Sequence, residues 1–390
     1  MSPGSRPTPA VRSVAVVKVT VVGAGVVGTM HAWMALRRGH QVVQIEREAE
    51  ARGASLRNFG QIWVSGRAGG EELETALRAR ELWEGIGARV PGLGFRPNGS
   101  LTPVRDPLEL AVAEAALARP DAAARGYELL TPAQARALNP ALRGEFTAAL
   151  YCERDAAVEP RTAQQALRAE LSKSPHYTFL PGREVREVVG AGTVRDDHGD
   201  IHRADAVVLC TGAWLGGLVR ELVGPGLPVR RVRLQMMQTD PLGEPLTTSV
   251  ADADSFRYYP AYASPALDEL AAARPQSETA AAHRMQLLMV QRADGGLTIG
   301  DTHEYEHPFA FDTVEDPYDH LAGVVESFLG RPLPRIRRRW AGVYAQCTDP
   351  GRVVHRQRVG DGVWLVTGPG GRGMTCSPAI AETTANELGW

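Results

Sequence analysis

Cysteine is scarce in this 390-residue chain: Cys152, Cys210, Cys347 and Cys376 lie far apart and form no CxxC pair. That spacing argues against a disulfide framework and against a cysteine zinc site, and a reduced, cytoplasmic setting is the expectation. An excess of one charge is also lacking. With 43 basic and 45 acidic residues intermixed, the net charge is −2, which excludes an electrostatic case for nucleic acid or an anionic membrane as partner. No apolar run approaches the roughly 18–20 residues needed to cross a bilayer. Residues 1–17 carry too short an apolar stretch for a secretory signal and read as a flexible tail. Repeats and low-complexity blocks are absent. The length suits two domains, or one large domain with an insertion.

What is present begins at Lys18. Lys18-Val19-Thr20-Val21-Val22 is a short run rich in β-branched residues, the pattern of a strand buried on both faces. Gly23-Ala24-Gly25-Val26-Val27-Gly28 follows at once, then a helical stretch to Gly39 and a second strand, Gln41–Ile45, ending at Glu46. This is a βαβ unit with a dinucleotide fingerprint. Gly23 serves the tight turn, Gly25 the approach to a pyrophosphate and Gly28 the packing of helix on strand; Glu46 is placed for ribose hydroxyls.

Further along, Ala54–Gln61 is a loop without a clear period; it either returns to the nucleotide site or is an ordinary surface turn. Glu71–Ile86 has helical periodicity, Pro91 to Pro103 is broken by glycine and proline, and Pro107–Ala118 and Pro132–Leu138 read as short helices. A helix runs from Val158-Glu159-Pro160-Arg161 to Leu171, and strands follow at Glu184–Val189 and Ala206–Cys210. The latter opens through Thr211 on Gly212, which either begins another helix close to a cofactor or merely terminates the strand. Pro228–Asp240 and Leu287–Ile299 are β-rich and flank a loop holding Arg257-Tyr258-Tyr259-Pro260. Val363–Val366 is a buried strand, and Gly368–Met374 opens a last helix ending near Leu388.

Three glycine turns at strand-to-helix junctions imply one nucleotide domain assembled from discontinuous pieces. Val19–Arg47, Leu209–Trp214 and Gly368–Met374, in that order, resemble the flavoprotein family of D-amino-acid oxidase, glycine oxidase and monomeric sarcosine oxidase. The resemblance covers nearly the whole chain from Lys18. It implies FAD, noncovalent here because Gly342 stands where the sarcosine branch has its tethering cysteine, and an α/β fold: a glutathione-reductase-like, Rossmann-type FAD-binding domain (18–92, 156–226 and 340–390) with an α+β substrate domain bearing a mixed sheet (93–155 and 227–339). Arg57-Asn58-Phe59-Gly60, Arg257-Tyr258-Tyr259-Pro260 and Trp340–Ala345 are similar to the branch that accompanies phosphonate-degradation genes, whose members act on aminoalkylphosphonates.

By position, the resemblance assigns Gly23, Ala24, Gly25, Val26, Val27 and Gly28 to the pyrophosphate turn, with Glu46 and Arg47 at the adenosine ribose. Ser55, Arg57, Asn58, Phe59, Gly60 and Gln61 would line the pyrophosphate and the near side of the ring. Val185 would meet the adenine, and Thr211, Gly212 and Trp214 form the second loop. Gly342, Gly370, Gly371, Arg372, Gly373, Met374 and Thr375 would approach the isoalloxazine, where N–H groups at a helix start stabilise negative charge.

Departures from the family are informative. Tyr344 stands where glycine oxidase has a carboxylate-binding arginine, Thr375 where the sarcosine branch has a lysine, and Gly342 where that branch tethers its flavin through cysteine. Arg257 becomes the expected anion anchor, as a guanidinium fork suits a phosphonate, with Tyr258, Tyr259, Tyr344 and Thr375 about the substrate. The alternatives are a surface arginine and core tyrosines. Arg230, Arg231 and Arg233 read as a solvated strand face. His303 and His307, near Asp301 and Glu304, lack a metal-ligand spacing, so no metal is expected and no acid–base residue is assigned. Gly296–Asp301 lacks the lysine that assists oxygen reduction in the sarcosine branch, leaving oxygen or another acceptor as oxidant. The expected activity is oxidation of the C–N bond of a small anionic amine, an aminoalkylphosphonate or its N-methyl derivative, to an imine that water hydrolyses. A glycine, sarcosine or D-amino-acid oxidase is the alternative within the class. An NAD reductase and a non-catalytic flavin-binding subunit are the alternatives outside it.

Overall fold

In the computed structural model, which describes residues 15–390, Lys18–Val22 forms the strand its β-branched residues favour, with Val19 and Val21 fully buried. All but the last three residues of the expected N-terminal tail lie outside the described part. Gln41–Glu46 pairs in parallel on one side of this strand and Ala206–Leu209 on the other. The sheet has six strands: His355–Gly360, Val363–Thr367, Ala206–Leu209, Lys18–Val22, Gln41–Glu46 and Tyr177–Pro181. All neighbours run parallel except the edge hairpin of the first two. Helix Val26–Arg37 packs against the final helix, Gly373–Leu388, and helix Glu71–Arg89 joins them. Trp83 ties that layer together: its buried indole N–H donates to the carbonyls of Met374 and Thr375, at 3.0 and 3.1 Å. The start of the last helix is thereby fixed beside the nucleotide strand.

A second sheet of eight strands is mixed, with one parallel pair, Ser249–Ala251 with Ser100–Val104. Its longest ladder pairs Val229–Pro241 antiparallel with Ile336–Cys347, setting Val232 opposite Tyr344 and Leu234 opposite Gly342. This strand crosses the domain boundary expected at residue 340, so its C-terminal half belongs to the second sheet. The alternation of side chains puts Leu234, Met236 and Tyr344 on the face turned towards the first sheet.

Two local expectations are corrected. No helix begins at Gly212: Gly212, Gly216 and Gly217 break the chain in quick succession, Gly212 and Gly217 at φ of 60° and 51°, and the next helix is the short Leu218–Val223. Arg257 and Tyr258 lie on a short helix, Asp254–Tyr258, rather than in a loop, with an Asp254–Arg257 ion pair along it and Pro260 just beyond its end.

Candidate active site

Between the two sheets runs a cavity of about 1030 Å³. That is at the upper end of the roughly 300–1,000 Å³ of drug-sized sites, room for a dinucleotide. The fingerprint glycines form one end, and the structure separates their roles. A Cβ on Gly23 would lie 2.3 Å from the carbonyl oxygen of Cys210, and one on Gly28 would lie 2.1 Å from that of Gly23. These two are required by the chain's own packing. A Cβ on Gly25 would approach only Ser55 Oγ, at 3.1 Å, and otherwise project into the cavity. Ser55 Oγ accepts the Val26 N–H at 2.8 Å, so the loop Ala54–Gln61 does return to the start of the helix.

Around this turn, Val26, Val27, Glu46 and Arg47 line the wall. Glu46 Oε2 accepts the Ala24 N–H at 2.7 Å and Oε1 that of Glu48 at 3.1 Å, which aims the carboxylate while leaving each oxygen a lone pair. Ala24 itself lies behind the wall. Arg47 rests 4.5 Å from the centroid of the half-exposed Trp214 ring, beside Thr211, Gly212 and Val185 at the same end. Arg57, Asn58, Phe59 and Gln61 also line the cavity. Asn58 braces its own loop, donating to the Ala54 and Ser55 carbonyls at 2.9 Å and accepting the Gly60 N–H at 2.6 Å. Gly60 lies outside the wall, because its Cα faces the Val158 carbonyl. Gly342, Gly370, Gly371, Arg372, Gly373 and Met374 complete the opposite side.

Two expected substrate residues do not reach the cavity. Thr375 is buried, its Oγ1 accepting the Trp63 N–H at 2.9 Å, and it ties that segment to the final helix. Arg257 is turned away: Nε donates to Asp254 at 3.0 Å and Nη2 to the Arg274 carbonyl at 2.6 Å. The helical turn that presents Tyr258 to the cavity carries its neighbour to another face, so Arg257 is not the anion anchor.

The chamber beyond the glycines is aromatic. Tyr258 and Tyr259 meet edge-on at 5.0 Å, and Tyr258 stacks on the His303 ring at 4.3 Å. The Tyr344 hydroxyl is buried without a hydrogen-bond partner among the described residues, and burial raises the pKa of all three tyrosines, keeping them neutral. Residues that sequence reasoning did not assign supply the charge. Arg67 donates through Nε to the Trp63 carbonyl at 2.7 Å, its Nη1 lies 3.7 Å from Glu72, and its guanidinium carbon is 5.9 Å from the Tyr259 ring. No spacing in the sequence marks Arg67; only in the fold does its neighbour Gly66 prove confined, where a Cβ would meet Tyr259 Cγ at 2.5 Å. Asp301 and His303 also line the chamber. Burial pushes the Asp301 carboxyl well up and lowers His303 to about 4. His303 and His307 do not converge, since His303 Nδ1 faces the Arg284 carbonyl and His307 Nε2 faces Arg231. Nor is the arginine run merely solvated, because Arg233 is buried and paired with Glu304.

The residues present fit FAD. The Gly25 track is open, and Gln61 Nε2, Trp63 Nε1 and Thr211 Oγ1 are buried polar atoms on the wall that find no partner among the described residues. The family model described as FAD dependent oxidoreductase (DAO) matches residues 18–387. The chain belongs to that family. It is 27% identical to the glycine oxidase of Pseudomonas aeruginosa, over 95% of this chain and 94% of that protein. It is 34% identical to a putative thiamine biosynthesis oxidoreductase, ThiO, of Rhizobium etli, over 56% of this chain and 59% of that one. The solved glycine oxidase of Bacillus cereus shares the fold, with a TM-score of 0.75 at 16% identity, covering 96% of this chain and 95% of its own. As a member of the family, the chain is an FAD-dependent oxidoreductase. No helix among the described residues is long and apolar enough to cross a membrane.

Proposed function

We propose that the chain oxidises the C–N bond of a small anionic amine, with FAD held noncovalently along the glycine track. The observation that carries this reading is the continuity of one cavity from Gly25 to a tyrosine-walled chamber where Arg67 faces Tyr259. When bound, FAD supplies the two-electron acceptor. The chain's own residues bind and orient. Arg67 takes the anionic group through the edge that Trp63 and Glu72 leave available, and Tyr258, Tyr259, Tyr344 and Trp63 exclude water and hold the reacting carbon in place. The backbone at Gly371–Met374, at the start of the last helix, favours negative charge on that side.

The favoured substrate is an aminoalkylphosphonate, N-methylated or not. The similarity of Arg57–Gly60 and Trp340–Ala345 to the phosphonate branch supports it, as does the suitability of a guanidinium for several oxygens. The glycine oxidase relative favours an amino-acid carboxylate instead. Trapping the carbonyl product with a hydrazine, over aminophosphonates, N-methylglycine, glycine and D-amino acids, separates the two. Product from aminophosphonates at the highest kcat/KM supports the first reading, and product from amino acids alone overturns it.

A further inference from the structure

We propose that Asp301 and His303 form the subsite for the substrate's ammonium group, and that Asp301 takes the proton that must leave nitrogen before the C–N bond is oxidised. The inference rests on the amine reading and adds to it a group that meets the amine. Asp301 follows the strand Gly296–Gly300, and its backbone N–H donates to the Gln286 carbonyl at 3.1 Å. Gln286 Nε2 donates to Asp301 Oδ1 at 3.0 Å, which leaves Oδ2 without a hydrogen-bond partner among the described residues. Opposite it, at 4.0 Å, stands His303 Nε2. His303 Nδ1 lies 3.0 Å from the Arg284 carbonyl, which can only accept, so Nδ1 carries the hydrogen and Nε2 presents a lone pair.

Once the carboxyl has given up its proton, Oδ2 and His303 Nε2 are two acceptors 4.0 Å apart, and one nitrogen can reach both at ~2.9 Å from each. A tetrahedral ammonium supplies the donors, and the Tyr258 ring beside them suits a cation. The groups facing Asp301 are Tyr258 and Tyr259 from the turn at Asp254–Tyr258 and its exit, Tyr344 from the strand Ile336–Cys347, and His303 from its own loop. Arg67 lies beyond, near Tyr259, which both it and Asp301 influence. Arg67 and Asp301, both close enough to influence Tyr259, offer a cation and a proton acceptor to the two ends of a small zwitterion.

Burial holds the Asp301 carboxyl neutral in the empty chamber, so an arriving ammonium displaces one proton to solvent. Within the pair, an ammonium N–H bond breaks, an O–H bond forms at Oδ2, and nitrogen keeps the electron pair. An amine lone pair is what oxidation to an imine requires.

The test is anaerobic flavin reduction by 2-aminoethylphosphonate, N-methylglycine and glycine, in wild type and Asp301→Asn holoenzymes, as a function of pH. At neutral pH the variant should be reduced roughly 100-fold more slowly, within the range for losing a general base. Its rate should climb with pH as free amine becomes abundant, while the wild type changes less. Ethylphosphonate and acetate, which lack the ammonium, should perturb both flavin spectra equally, which shows that the chamber is intact. His303→Gln, which leaves Asp301 in place, should show a smaller loss in the same direction and serves if the first variant does not fold. Reduction of Asp301→Asn at the wild-type rate, with an unchanged pH profile, overturns the assignment and leaves the amine reading standing. Failure of all three amines to reduce the wild type overturns that reading, and this inference with it.

Discussion

Replacing Arg67 by alanine removes the cation nearest the aromatic chamber. The side chain is almost fully enclosed, with 7% of its surface exposed, so its interaction with a bound anion is poorly screened. Losing one partner of such a charged contact costs about 2–4 kcal/mol, which is roughly 30- to 1,000-fold in kcat/KM. The fold should survive, because Glu72 keeps a second partner: Arg372 Nε lies 3.4 Å from its Oε1. The Trp63 carbonyl loses its bond from Nε and opens to the cavity instead. The assay is steady-state kinetics on an aminophosphonate or amino acid beside a neutral amine of similar length, with flavin content and Tm measured on the same preparations. Arg67→Lys should recover part of the loss, since an ammonium keeps the charge but not the fork. An equal loss on anionic and neutral substrates would show that Arg67 only supports the structure. No loss on either would refute the anchor.

Other expectations follow from individual residues. Gly25→Val should purify folded and nearly free of flavin, whereas Gly28→Val should fail to fold, because its Cβ would lie 2.1 Å from the Gly23 carbonyl oxygen; absorbance spectra and circular dichroism separate the two. Acid precipitation of the wild type should leave the yellow colour in the supernatant, as Gly342 offers no thiol for a tether, and colour in the pellet would refute noncovalent binding. His31 is buried, with its pKa lowered from 6.5 to about 4, so the unfolded state binds more protons than the folded one between those values. Stability tied to His31 is therefore intact above pH 6.5 and falls as pH drops towards 4. At pH 5 the loss is roughly 2 kcal/mol, and the Tm gap between wild type and His31→Gln should narrow correspondingly.

The nucleotide half was legible because its rules are local. A β-branched strand, three glycines at fixed spacing and an acid at the end of the next strand lie within Lys18–Glu46, and each has a geometric cause in the structure. The strand Ala206–Leu209 and the last helix are similarly readable from short apolar runs and glycine turns. The substrate side depends on which way a side chain points after distant segments meet. Arg257 and Tyr258 are neighbours in sequence, yet one pairs with Asp254 and the other faces the chamber. Thr375 sits at a position that in relatives holds a cation, but the Trp63 N–H claims its hydroxyl. Arg67, Asp301 and His303 belong to no spaced motif and become a site only when the second sheet closes over the first. Asp301 and His303 were visible only as an unconvincing metal pattern. What joins them to Tyr258, more than forty residues earlier in the chain, is the strand Leu288–Gln291, which pairs with Gly296–Gly300 on one side and with Ser249–Ala251 on the other.

The central claim, that this cavity oxidises small anionic amines on bound FAD, is tested most directly by mixing the holoenzyme anaerobically with 2-aminoethylphosphonate, its N-methyl derivative, N-methylglycine and glycine while recording the visible spectrum. The account predicts loss of the oxidised flavin absorbance with at least one of these, and none with ethylphosphonate or acetate. A flavin that stays oxidised with every anionic amine, or that is bleached faster by uncharged amines of the same length, would contradict it.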